Sequence, residues 1–128
     1  MVLHTIPTPA GQIDVEDSCV VAVRRTAGTV VISFDRARLC IDQKSSDTGP
    51  LSVAILGVSG EHAVFYGPDE VALSVAGDEA PLSVVEVLEY SDGIVELQGM
   101  REGKPWCVWR IEGASARLNW DGATHSAI

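Results

Sequence analysis

The sequence predicts an all-β protein, an antiparallel sandwich or partly closed barrel of roughly eight to ten hairpin-connected strands. Short valine-rich runs alternate with turn residues along most of the chain, and β-branched side chains suit a pleated sheet better than a helix. No long stretch shows the period of a helix. Turns at this close spacing are typical of sandwiches and barrels rather than of alternating strands and helices.

Turn residues bound each predicted strand. The runs lie near residues 19–26, 29–34, 37–42, 51–58, 62–66, 70–76, 82–90, 94–100, 104–112 and 114–120, and the polar stretch 42–50 is expected to be a loop. Pro7 and Pro9 fix the backbone φ angle, so residues 1–11 are predicted to form an extended N-terminal arm. Residues 121–128 are predicted to be a flexible tail. A chain of 128 residues is expected to be a single domain, 1–128.

The last third of the chain suggests a strand register. The sequences at 91–93 and 101–103 both end in glycine and fit three-residue hairpin loops. This register pairs Leu88 with Glu96 and Gln98 with Trp106, and it avoids placing Glu89 opposite Glu96, a like-charge pair. The predicted core face carries Val85, Val87, Val95, Leu97, Cys107, Trp109 and Ile111. The opposite, mixed face carries Glu86, Leu88, Tyr90, Ile94, Glu96, Gln98, Trp106, Val108 and Arg110.

Negative charge is concentrated in residues 61–102. This segment holds ten acids against Arg101 alone, which accounts for the whole formal net charge of −9. The ten are Glu61, Asp69, Glu70, Asp78, Glu79, Glu86, Glu89, Asp92, Glu96 and Glu102. They are expected either to be solvated individually or to form one patch that attracts a basic protein. Such charge disfavours nucleic-acid binding and anionic membranes.

No motif predicts a catalytic, metal or cofactor site. Asp47-Thr48-Gly49 is similar to the D-T-G of aspartic proteases, but it follows polar residues, where that family has apolar ones that seat the loop in the core. Ser59 lacks the second glycine of a G-x-S-x-G motif. The three histidines have no metal-ligand spacing. We therefore predict a protein without enzymatic activity and without a cofactor.

The predicted function is binding. Glu86, Tyr90, Glu96, Trp106 and Arg110 form the candidate partner-binding site, because buried aromatics anchor an interface and charges at its rim orient it. The protein is expected to be a small acidic protein-binding module, acting in the manner of an immunity protein or inhibitor that masks a basic partner surface. Two alternatives remain: a barrel that binds a small molecule, and a structural protein whose Trp106 face forms a homodimer.

A cytoplasmic location is expected. The three cysteines are widely separated in sequence, and their odd number fits a reducing compartment better than a disulfide framework. The N-terminal residues lack the basic and apolar regions of a signal peptide.

Overall fold

The computed structural model describes residues 5–66, 71–73, 80–101 and 106–128, and it confirms the antiparallel all-β prediction. In these ranges the chain forms twelve strands, more than the predicted eight to ten. They are β1 Thr5–Thr8, β2 Gly11–Asp14, β3 Val20–Thr26, β4 Thr29–Ile41, β5 Lys44–Leu56, β6 Gly60–Tyr66, β7 Val71–Leu73, β8 Val84–Ser91, β9 Ile94–Met100, β10 Trp106–Glu112, β11 Ser115–Trp120 and β12 Ala123–Ser126.

Seven strands form the larger of two sheets, which we call sheet A, and one of the two sheets is strongly curled into a half-barrel. Its order is β1-β2-β4-β5-β11-β12, and β3 also pairs with β4. The two central strands, β4 and β5, are 13 residues each. The first half of β4 pairs with β3 and its second half with β2. Register shifts between Phe34 and Arg38 bend this long hairpin, because an extra residue in one strand increases local twist.

The segments predicted to be an extended arm and a flexible tail each contribute to sheet A within the described residues. β1 pairs with β2, and Ile6 is completely buried. β12 pairs with β11, and the His125 ring stacks on Trp120 with 3.8 Å between ring centroids. The Ile128 amide donates to the Pro7 carbonyl at 2.8 Å. One buried apolar side chain and one ring stack thus hold strands in segments whose composition is that of loops.

The polar stretch 42–50 is mostly strand rather than loop. Only Asp42 and Gln43 form the turn, with φ angles of 48° and 67°, and β5 begins at Lys44. Residues 44–47 are all exposed, so this end of the hairpin has no alternation of buried and exposed positions. Since that alternation is the main sequence sign of a strand, the strand was missed.

The remaining five strands form sheet B, in the order β7-β6-β10-β9-β8. The inner faces of the two sheets share one core, in which Trp109 and Phe34 are among the largest buried side chains. Backbone hydrogen bonds also join the sheets at one edge: the Val20 amide donates to Ser83 at 2.7 Å, and the Val85 amide donates to Ser18 at 3.0 Å. The fold is thus a sandwich that is closed along one side, between the two architectures that the sequence left open.

The predicted register of β8 is wrong by one residue. The hairpin turn is the two-residue Asp92-Gly93, with φ angles of 49° and 82°, so Glu89 lies opposite Glu96 after all. Leu88 then pairs with Leu97 and is 1% exposed. Burying a leucine is worth about 2 kcal/mol, whereas two like charges at a hydrated surface cost a few tenths. Burial therefore decides the register.

Two further pairings complete sheet B. A register shift between Val85 and Val87 leaves Glu86 as the extra residue of a β-bulge. In β9 and β10, Gln98 pairs with Val108 rather than with Trp106. That displacement is two residues, so the faces of β9 and β10 remain as predicted.

Candidate protein-binding face

The outward side of sheet B carries an unusual mixture of apolar and charged side chains. We call it the sheet B outer face and define it by His62, Val64, Tyr66, Val87, Glu89, Glu96, Gln98, Met100, Trp106, Val108 and Arg110. Outside the β8 bulge, these positions alternate along each strand with buried residues such as Val95, Leu97 and Trp109, as expected for a strand with one face in a core.

The predicted site residues do not all lie on this face. Glu96, Trp106 and Arg110 do, and Arg110 is directly opposite Glu96. Tyr90 is opposite the buried Val95 and packs against the core, because the one-residue change of register moves it to the inner side. Glu86 is in the bulge.

Hydrogen bonds and ion pairs connect the polar side chains of the face. Trp106 Nε1 donates to Gln98 Oε1 at 3.3 Å, and Gln98 Nε2 donates to Glu96 Oε2 at 3.3 Å. Arg110 reaches Glu96 at 3.9 Å and Glu112 at 3.2 Å. The indole, amide, carboxylate and guanidinium thus form one chain across β9 and β10, which lowers the entropy that a partner would have to remove on binding.

Negative charge exceeds positive charge at one end of the face. Glu89 and Glu96 are directly opposite across β8 and β9, an arrangement that destabilises a sheet. Glu89 is exposed and has no ion pair within the part of the chain that the structure describes. Arg110 is shared between Glu96 and Glu112. A cation from outside the molecule would relieve the repulsion between Glu89 and Glu96.

The other end of the face is apolar. Trp106 is directly opposite Tyr66, and Val108 is directly opposite Val64. Tyr66 is 44% exposed and Met100 is 49% exposed. The β6 residues of this face were not predicted, because their pairing with β10 joins positions forty or more residues apart and no local pattern indicates it.

The ten acids of 61–102 do not all contribute to this face. Glu61 is turned inward and pairs with Arg25 at 2.7 Å. Asp69, Glu70, Asp78, Glu79 and Glu102 lie outside the described residues. Glu86, Glu89, Asp92 and Glu96 lie on the β8–β9 hairpin. The described part of the acidic segment therefore divides between a structural ion pair and this hairpin.

The other residues considered in the sequence as catalytic or metal-binding candidates make contacts that belong to the fold. Asp47 Oδ1 accepts the Gly49 amide at 2.7 Å, and the Thr48 hydroxyl donates to the Ala37 carbonyl at 3.2 Å, so D-T-G forms an irregular part of β5. Burial raises the pKa of the Cys107 thiol to about 11. Among the described residues, no group of three or more potential ligands is placed to hold a metal ion.

No protein-family model, curated protein or solved structure matches this chain. Within the described ranges, no helix has the length and apolar character needed to cross a membrane.

Proposed function

We propose that the protein binds another protein through the sheet B outer face, in the manner of an immunity protein or inhibitor that masks a basic surface. The observation that carries the proposal is that one face has the exposed Tyr66 opposite the half-buried Trp106 at one end and the opposed carboxylates of Glu89 and Glu96 at the other. Aromatic anchors supply most of the binding energy of protein interfaces, while charges at the rim set orientation and the rate of association.

The chemistry of the face specifies the partner. The surface of the partner would present an arginine or lysine to the carboxylates of Glu89 and Glu96, and an apolar patch to the end of the face that holds Tyr66 and Trp106. Arg110 already has two acidic neighbours, so the unsatisfied charge is negative. The net charge of −9 would further favour encounter with a basic protein.

The same observations make the alternative functions less favourable. A symmetric homodimer through this face would bring two acidic hairpins together, and each copy carries the same net negative charge. A small-molecule barrel needs an internal cavity, but large side chains such as Trp109 and Phe34 are part of the core between the sheets. Binding of a different, basic protein therefore has the strongest support.

A comparative pull-down tests the proposal. Tagged wild type would be compared with Glu89→Gln/Glu96→Gln and with Tyr66→Ser in lysate of the source organism, washed at about 50 mM and then about 500 mM salt. Asp42→Asn/Asp121→Asn is the matched control, since it removes the same charge at two exposed turns where asparagine tolerates the positive φ.

The expected result is a basic protein retained in stoichiometric amount by the wild type and by the control, released by high salt, and lost with both face variants. Retention of the same proteins by all four baits would contradict the proposal. So would the absence of any partner bound in a variant-sensitive way.

A further inference from the structure

A second surface, on the opposite side of the molecule, carries no acid. We define the acid-free face by the outward residues of one part of sheet A, which is bounded by the exposed Asp35 of β4 and excludes the Arg38–Asp14 pair further along that strand. Its residues are Ala22, Arg24, Thr26, Thr29, Val31, Ser33, Ser52, Ala54, Leu56, Ser115, Arg117, Asn119, Thr124 and Ser126. Its only charges are two arginines, although the chain has 18 acids and 9 lysines and arginines. Its other side chains are mostly small.

The two arginines of this face are not neutralised. Arg25, Arg38 and Arg110 each contact a carboxylate. Arg24 and Arg117 are exposed and have no ion pair in the ranges that the structure describes. In a protein of such acidity, this face leaves two guanidinium groups available to an external anion.

Their spacing is fixed by the sheet. Arg24 is opposite Val31, Val31 is opposite Ala54, and Ala54 is opposite Arg117. The two arginines are therefore separated by three spacings between neighbouring strands, which amounts to about 14 Å. An extended chain covers about 13 Å in four residues, and its residues i and i+4 are on the same side. Two carboxylates four residues apart would match both guanidinium groups.

The surface between the arginines can receive such a chain. Its floor is Val31 and Ala54, whose short side chains let a backbone approach closely, and Ser33 and Ser52 in the neighbouring row offer hydroxyl groups. A surface depression of about 530 Å³ lies beside Arg24. We propose that the acid-free face is a docking surface for an extended acidic segment of a partner protein, with carboxylates four residues apart.

This occupant is favoured over other anions by charge. A nucleic acid brings a phosphate with every nucleotide, and the acids elsewhere on this chain would repel it. A second copy of the chain brings its own net charge of −9. A short segment with two carboxylates brings only the charge that the two arginines can neutralise.

Nuclear magnetic resonance of the whole ¹⁵N-labelled chain tests the proposal. The probe is a synthetic ten-residue peptide of threonine, valine and serine with two glutamates four residues apart. Its matched control has glutamine at both positions, and a ten-nucleotide oligothymidylate is the nucleic-acid arm. The protein variants are Arg24→Ser/Arg117→Ser and, as a control of equal charge, Arg36→Ser/Arg101→Ser.

The expected result is a set of amide shifts confined to β3, β4, β5 and β11 on addition of the glutamate peptide. Loss of both arginines should weaken binding about tenfold, or about threefold for each exposed ion pair, and the control variant should bind normally. Glu89→Gln/Glu96→Gln should also bind the peptide normally, which separates this proposal from the function proposed for sheet B.

Several outcomes would overturn the proposal. They are equal shifts with the glutamine peptide, shifts that map to another surface, and no shift at about 2 mM glutamate peptide. That concentration would occupy about two thirds of the sites of a complex with a dissociation constant of about 1 mM. Tighter binding of oligothymidylate would indicate a nucleic-acid surface instead. Shifts that grow with protein concentration in the absence of peptide would indicate a second copy as the occupant.

Discussion

Trp109 of β10 donates its indole N–H to the carboxylate of Glu61 in β6 at 2.8 Å. The same carboxylate accepts hydrogen bonds from Arg25 of β3: Nε donates to Oε1 at 2.9 Å and to Oε2 at 3.1 Å, and Nη2 donates to Oε2 at 2.7 Å. The Arg25 guanidinium carbon also lies 5.9 Å from the centre of the Trp109 ring. Since β3 belongs to sheet A and the other two strands to sheet B, one carboxylate links the two sheets.

Replacing Glu61 by alanine should destabilise the fold by roughly 2–4 kcal/mol, because it removes the shared acceptor of a buried indole and a charged group. The Glu61 side chain is only 11% exposed, so water would replace the acceptor poorly. Urea unfolding measures the effect. Glu61→Gln keeps an acceptor for the indole and should cost less. A loss below about 0.5 kcal/mol in the alanine variant, typical of a surface position, would show that the link contributes little.

The opposed carboxylates of Glu89 and Glu96 predict a gain instead. Glu89→Thr should raise the free energy of unfolding by about 0.5 kcal/mol, because it removes a like-charge cross-strand pair and introduces a residue that favours strands. The gain should shrink at high salt, which screens exposed charges. If the protein keeps this repulsion for binding, the same variant should bind the basic partner less well. An unchanged or lower unfolding midpoint at low salt would contradict the expected repulsion.

The sequence was sufficient to predict the class of fold, but not the position of the bulge in β8 or the register that follows from it. Alternation of apolar and polar residues predicted β9 and β10 and placed Cys107, Trp109 and Ile111 on the core face, where all are 0% exposed. Alternation has a period of two and contains no information about a bulge, so the change of face at Glu86 was not predictable from it. The same limit applies to the candidate face: Glu96, Trp106 and Arg110 lie on the outward side of sheet B, and Tyr90 does not.

Contacts between distant segments were the other limit. The partners of Trp106 and Val108 in β6 are Tyr66 and Val64, and the Arg25–Glu61 pair joins residues 36 positions apart. Each of these residues alone fits a solvated strand. Only the order of the strands in the fold brings the members of each pair together.

Gly99 is predicted to be irreplaceable within β9. A Cβ atom there would lie 1.9 Å from the Val84 carbonyl oxygen, at the strand pair next to the bulge. Gly99→Ala should therefore destabilise the fold by about 3 kcal/mol or more through overpacking. Gly60→Ala is the matched control, since its Cβ would meet nothing closer than 3.5 Å. Thermal unfolding of both variants distinguishes them, and equal melting temperatures would contradict the close approach.

Cys107 predicts a loss of stability at alkaline pH. Burial raises the pKa of its thiol from 9.0 to about 11, so the folded chain holds this proton more tightly than the unfolded chain does. The contribution is fully present below pH 9 and is lost as the pH rises towards 11. The unfolding free energy of the wild type should therefore fall more steeply over this range than that of Cys107→Ala, which is less stable at neutral pH but has no thiol to ionise.

Iodoacetamide provides a second readout, since it reacts with the thiolate. At pH 8 it should modify the partly exposed Cys19 and Cys40 and reach Cys107 only after unfolding. Parallel pH profiles for the two proteins, or rapid modification of Cys107 in the native state, would contradict a buried neutral thiol.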